Sequence, residues 1–155
     1  MPAIAGFGVA AELAAQELAT ETPRLRSLRD RLFDQLADIP GLTPTGDRLH
    51  RLPHHVSFCL RETSLYQDKT SPISGRTLVR QMNMAGIAIS SGSACSSGQL
   101  NPSSVLLAMG YSPPEATGAI RMTLGRHTTV EDIDWTAMVF KQVLQRLTPE
   151  LAIAR

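Results

Sequence analysis

The chain has 155 residues, 43% of them hydrophobic and 19% charged, with a formal net charge of +1, the profile of an ordinary globular protein with room for one domain and one core. No basic stripe exists to neutralise phosphates, so nucleic acid and anionic membrane are not expected partners. No apolar run approaches the roughly 20 residues a bilayer needs, and the N-terminus lacks the features of a signal peptide, so the expected location is cytoplasmic.

From Pro2 to about Ala19, apolar Ile4, Phe7, Ala11, Ala14 and Leu18 recur at three and four, the period of an amphipathic helix with proline in its first turn. Pro23 is expected to interrupt or kink it. Leu25, Leu28, Leu32, Leu36 and Ile39 then continue the period until Pro40-Gly41. Residues 42 to 46 read as a short strand. "HHVSFCL" alternates Val56, Phe58 and Leu60 against Ser57 and Cys59, a half-buried strand with Cys59 on its less apolar face. Residues 61–74 show no period and read as a surface loop insertion.

"GRTLVRQMNMAG" predicts a helix stopped by Gly86, and "IAIS" a short buried strand. Two short helical pieces follow at 103–109 and 114–118. "AIRMTLG" is a strand with Ile120, Met122 and Leu124 on one side and Arg121 and Thr123 on the other. Thr128 or Thr129 then caps a last helix that lines up Ile133, Ala137, Phe140, Leu144 and Leu147. Helices mixed with short, non-repeating strands predict an α+β domain, a small mostly antiparallel sheet with helices packed on one face.

Between these elements lies "SSGSACSSGQLNP", residues 90–102, a stretch too polar to pack and near the length at which loops become uncommon unless functional or disordered. At its centre is Cys95, a strong nucleophile once ionised, set among Gly and Ser whose backbone N–H groups can stabilise a thiolate. By themselves the residues leave two readings open, an ordinary small side chain or a thiol on a mobile arm. The other cysteine, Cys59, also reads as a thiol, since nothing suggests a secreted disulfide framework. Arg121 sits mid-strand among apolar neighbours, where a guanidinium needs an anionic partner, either one of the chain's own acids or a ligand carboxylate. Arg126 reads as a structural charge beside the last helix. His54 and His55 are adjacent on a strand and point to opposite faces, and His50 and His127 have no ligand-spaced partner, so no metal site is expected.

"SSGSACSSGQLNPSSVLLAMGYSPPEATGAIRMTLGRHTTVEDID" resembles the C-terminal part of cysteine desulfurases, members of the class V aminotransferase family of fold-type I pyridoxal phosphate enzymes. "PAIAGFGVAAELA", "RLRSLRDRLFDQL", "VSF" and "GIAISSGSAC" also fit, so the resemblance covers most of the chain. It implies a fold like the small C-terminal domain of those enzymes. It also implies that Cys95 is the nucleophile that takes sulfur from L-cysteine as a persulfide, with release of L-alanine, and that Arg121 holds the substrate carboxylate. The partners it implies are L-cysteine, a sulfur acceptor or iron–sulfur scaffold protein, and a large cofactor domain or a homodimer partner.

The departures matter as much. The only lysines are Lys69, in the polar loop, and Lys141, in the last helix; neither stands in the family's Ser-x-His-Lys setting, and Met1-Pro2 falls where relatives carry a Gly-Thr-Pro. The expectation is therefore a single small domain, 1–155, without the large lysine-bearing domain, binding no pyridoxal phosphate covalently and inactive alone. Its rivals are a stand-alone sulfur-relay or partner-binding module carrying persulfide on Cys95, and an inactive truncated product.

Overall fold

The computed structural model describes residues 1–61, 73–92 and 101–148. Cys95 and most of the 61–74 insertion lie outside the described residues, so the expectations for both stay expectations.

The elements run α1 (Pro2–Leu36), β1 (Leu42–Pro44), β2 (His55–Leu60), α2 (Gly75–Met84), α3 (Ser104–Ala108), α4 (Pro113–Thr117), β3 (Ile120–Thr123) and α5 (Val130–Leu147). The strands form one antiparallel sheet in the order β1-β2-β3. Two expectations about α1 need correction. Of the two outcomes expected at Pro23, interruption does not occur: the helix runs on through it, because losing a single N–H donor does not outweigh the rest of a 35-residue hydrogen-bonded ladder. It also ends at Leu36, short of Ile39.

Register decides what each sheet face carries. Ser57 pairs with Arg121, Val56 with Met122 and Phe58 with Ile120, while Leu42 pairs with Leu60. Paired residues share a face, so Val56, Phe58, Leu60, Leu42, Ile120 and Met122 point one way and His55, Ser57, Cys59, Arg121 and Thr123 the other. The apolar face packs on the second half of α1, on α2 and on α5, burying Leu32, Phe33, Leu36, Leu78, Met82, Phe140 and Leu144 in one cluster. This is the expected sheet with helices on one face; the short α4 adds cover over part of the other.

That cover overturns the half-buried reading of β2. Cys59 is fully buried beside α4, because β2 is the central strand and is covered along both faces over its second half. A second correction concerns "IAIS", which makes only a bridge between Ser90 and Arg121 and no regular strand. Ile87 and Ile89 pack against the core from a non-repetitive segment.

The caps follow the sequence. Thr129 Oγ1 accepts from Asp132 N at 3.2 Å, and Asp132 Oδ2 accepts from Thr129 N at 2.9 Å, a reciprocal capping box at the start of α5. Gly86, with φ of 82°, lies in the left-handed region just past α2. Arg24 ties α1 to the β3–α5 connection, donating to the carbonyls of Thr128 at 2.8 Å and Arg126 at 2.9 Å. Arg126 pairs with Glu17, a structural contact. Arg31 and Gln35 both donate to the Asp134 carboxylate, which they hold near pKa 2.

Two predictions follow from this core. Phe33 is buried with its ring 5.1 Å from that of Phe58, so Phe33→Ala should lower stability by about 3–5 kcal/mol. Urea denaturation should show this as a reduced midpoint at unchanged slope. Burial pushes the Cys59 thiol up to about 11, with Glu115 adding to the shift. Its folded pKa lies above its unfolded one, so the stability tied to it is fully present below about pH 8.5 and is lost towards pH 11. Cys59 should therefore resist iodoacetamide at about pH 8 in the folded chain and react on unfolding, read by peptide mass spectrometry.

Candidate functional site

The polar face of the sheet is where chemistry concentrates. Thr45, just past β1, donates its N–H to the Ser57 carbonyl at 3.0 Å, and the two hydroxyls lie 2.5 Å apart. On the other side of Ser57 stands Arg121. Thr45, Ser57 and Arg121 thus form a polar floor across three neighbouring chain segments. Above it is a cavity of about 700 Å³, bounded by this floor, by Arg51 and His55, and by Leu106 and Met109 around α3.

Arg121 is positioned by its own backbone. It donates its N–H to Ser90 O at 2.7 Å and accepts from Ser90 N at 2.9 Å, and its Nη2 donates to Ser90 Oγ at 3.3 Å. Among the described residues no carboxylate forms an ion pair with it. Of the two partners considered for this guanidinium, an internal acid is therefore not found among the described residues. The bridge also fixes where the next segment starts: Gly92 lines the cavity, as does Ser103 at the start of α3. The chain carrying Cys95 thus leaves from and returns to the cavity wall.

His55 sits on the same face, half-buried, and its imidazole is held below its ordinary value by burial and by the positive fields of Arg51, Arg121 and His54. It is a neutral hydrogen-bonding group at neutral pH. Asp47 carries the acid of the lining, and its carboxylate is lowered by the backbone N–H groups of His50 and Leu49 that it accepts at 2.7 and 2.6 Å.

Sequence reasoning missed Arg51, which reaches the cavity wall by folding back over its own loop. The stretch "DRLHRLPHH" carries two arginines and three histidines against one acid, and that imbalance was the available signal. Attachment of a carbonyl cofactor requires a lysine amine. Lys141 is the lysine among the described residues; it lies on α5 and does not line the cavity. The described residues therefore do not fit covalent attachment of pyridoxal phosphate.

Residues 1–135 match the family model described as Aminotransferase class-V. Among curated proteins, the chain is 43% identical over 147 residues to "Cysteine desulfurase IscS 1" of Archaeoglobus fulgidus, covering 95% of this chain and 36% of the relative. It is 40% identical over 144 residues to "Cysteine desulfurase IscS" of Haemophilus influenzae, covering 93% and 33%. Among solved structures, a NifS-like protein from Rickettsia africae aligns over 92% of this chain and 34% of its own, at TM-score 0.73 and 24% identity. Another NifS-like protein aligns over 87% and 31%, at TM-score 0.70 and 25% identity. The chain thus spans about a third of the length of the relatives it matches. By the match over residues 1–135, it belongs to the class-V aminotransferase family.

Proposed function

We propose that this chain is the C-terminal, sulfur-accepting part of a cysteine desulfurase, contributing Arg121 to bind the carboxylate of L-cysteine and Cys95 to receive its sulfur. The observation that carries the reading is Arg121, which has no ion pair among the described residues, faces a cavity and is bridged to Ser90 at the start of the Cys95 segment. A guanidinium at a cavity wall suits bidentate recognition of a carboxylate. Gly92 lines the cavity three residues before Cys95, so chain length alone keeps the Cys95 Cα within about 11 Å of that residue.

The chemistry balances as a transfer between thiols. The Cys95 thiolate forms a bond to the substrate sulfur as the carbon–sulfur bond breaks; the bonding pair stays on carbon, which takes the thiol proton and leaves as L-alanine. Cys95 is left as a persulfide anion, able to pass sulfur to an acceptor protein. Pyridoxal phosphate supplies the electron sink for such chemistry in the complete enzyme. In this reading its lysine comes from a large domain outside these 155 residues.

The first half of α1 supports a larger assembly. Ile4, Phe7 and Leu18 are 72%, 77% and 66% exposed, which suits a helix whose apolar side chains are covered by a further domain or a partner subunit.

Joining this chain to the remaining two-thirds of the Archaeoglobus fulgidus relative, with pyridoxal phosphate bound, tests the proposal. The chimaera should release L-alanine from L-cysteine. Cys95→Ala should abolish release, and Arg121→Gln should raise KM by about tenfold to a hundredfold. Alanine release that survives Cys95→Ala would overturn the role of Cys95. The chain alone, given cofactor and L-cysteine, is expected to release none.

A further inference from the structure

Arg121 shares the cavity wall with a second ionisable group. The register pairs His55 with Thr123 and Ser57 with Arg121, so His55 and Arg121 are diagonal neighbours on one face of the sheet. The Cβ atoms of such neighbours stand about 7 Å apart, and both residues line the same cavity. The backbone N–H of His55 donates to the Leu52 carbonyl at 3.2 Å, which fixes the residue where the loop after β1 enters β2.

The charges acting on this imidazole are positive. Arg121 acts from β3, Arg51 from the β1–β2 loop and His54 from the preceding position, and with burial they disfavour the protonated ring. Asp47 and His50 also line the cavity, but they answer each other. The Asp47 carboxylate accepts from the N–H groups of Leu49 and His50 and lies 3.4 Å from Nδ1 of the His50 ring. Helix α3, on the remaining side, adds no charged side chain. Among the described residues no acid forms an ion pair with His55.

A carboxylate bound at Arg121 changes that balance, because its negative charge offsets the arginine's field. The spacing of about 7 Å is inside the Debye length of about 10 Å at 0.1 M salt, so the ring feels the offset. Protonating the ring then becomes easier, and by linkage a protonated ring favours the carboxylate by the same factor. One acid on the ligand is enough for this, as in L-cysteine.

We infer that His55 is a positioning residue of the carboxylate site: a carboxylate held by Arg121 draws a proton onto the His55 imidazole, and the charged imidazole strengthens the hold of the site on the carboxylate. The inference rests on the carboxylate role proposed for Arg121. The gain in affinity is fully present below the pKa of the ligand-free ring and is lost as pH rises through that of the ligand-bound ring.

NMR titration of the His55 ring in the full chain, from about pH 5 to about pH 8, tests this, with about 100 mM L-lactate as probe and chloride at equal ionic strength as reference. L-Lactate has one carboxylate, ionised over this range, and no ammonium group to offset it. Lactate should raise the His55 midpoint by at least about 0.3 pH unit, the effect of one charge at about 10 Å in water. His54, on the opposite face of the strand, should respond less. Arg121→Gln should itself raise the midpoint in chloride and remove the response to lactate. Seen from the ligand, lactate should bind about 1.5-fold to twofold more tightly at about pH 5 than at about pH 8, and His55→Asn should remove most of that difference. Lactate binding that Arg121→Gln abolishes but that leaves the His55 midpoint unmoved would overturn this inference alone. Lactate that does not bind, or that binds Arg121→Gln equally well, would overturn the carboxylate role of Arg121 and the inference with it. The midpoint is read on the unaltered chain, so the inference stays testable should either variant fail to fold.

Discussion

The pairing of Ser57 with Arg121 is the constraint on which the rest depends. In a sheet the side-chain period is two, so a slip of one residue between β2 and β3 would turn the Arg121 guanidinium into the apolar cluster around Phe33, Phe58 and Phe140. Burying an unpaired charge there costs several kcal/mol, while Met122 would leave the core at the same time. The apolar packing that stabilises the domain and the register that presents Arg121 to the cavity are therefore one requirement. Ser90 extends the same order outward, since its bridge to Arg121 sets where the Cys95 segment departs.

The long first helix shows the opposite condition, order without local packing. At 35 residues it is about 50 Å long, yet its buried residues are confined to Leu28, Arg29, Leu32, Phe33 and Leu36. Most helical stability in proteins comes from packing an apolar face, and the first half of α1 has apolar side chains without one. The chain spans about a third of the length of the relatives it matches. The cavity belongs to the same picture, with Arg121 facing it and, among the described residues, no lysine on its lining.

Much of this was legible in the sequence, for identifiable reasons. β3 and α5 carry clean periods of 2 and 3.6, and the Thr129 box and Gly86 stop have local chemistry, so they appear where expected. Local rules failed where distant packing decides. Cys59 alternates with apolar residues yet is buried, because α4, far along the chain, covers it. Pro23 satisfies a rule for breaking helices, but the flanking turns hold. Arg51 gave no periodic signal, since its guanidinium is set by a loop folding back and by the Phe33 ring 4.8 Å away on α1. Arg121 was readable as an arginine that needs an anionic partner, and among the described residues no acid forms an ion pair with it.

The central claim is that Cys95 carries sulfur. Its most direct test is peptide mass spectrometry of the protein purified from its native cells without reductant. The account predicts an added mass of about 32 Da on Cys95, one sulfur atom, removed by dithiothreitol and absent from Cys59. An unmodified Cys95 in cells actively supplied with cysteine, or an adduct found on Cys59 instead, would contradict it.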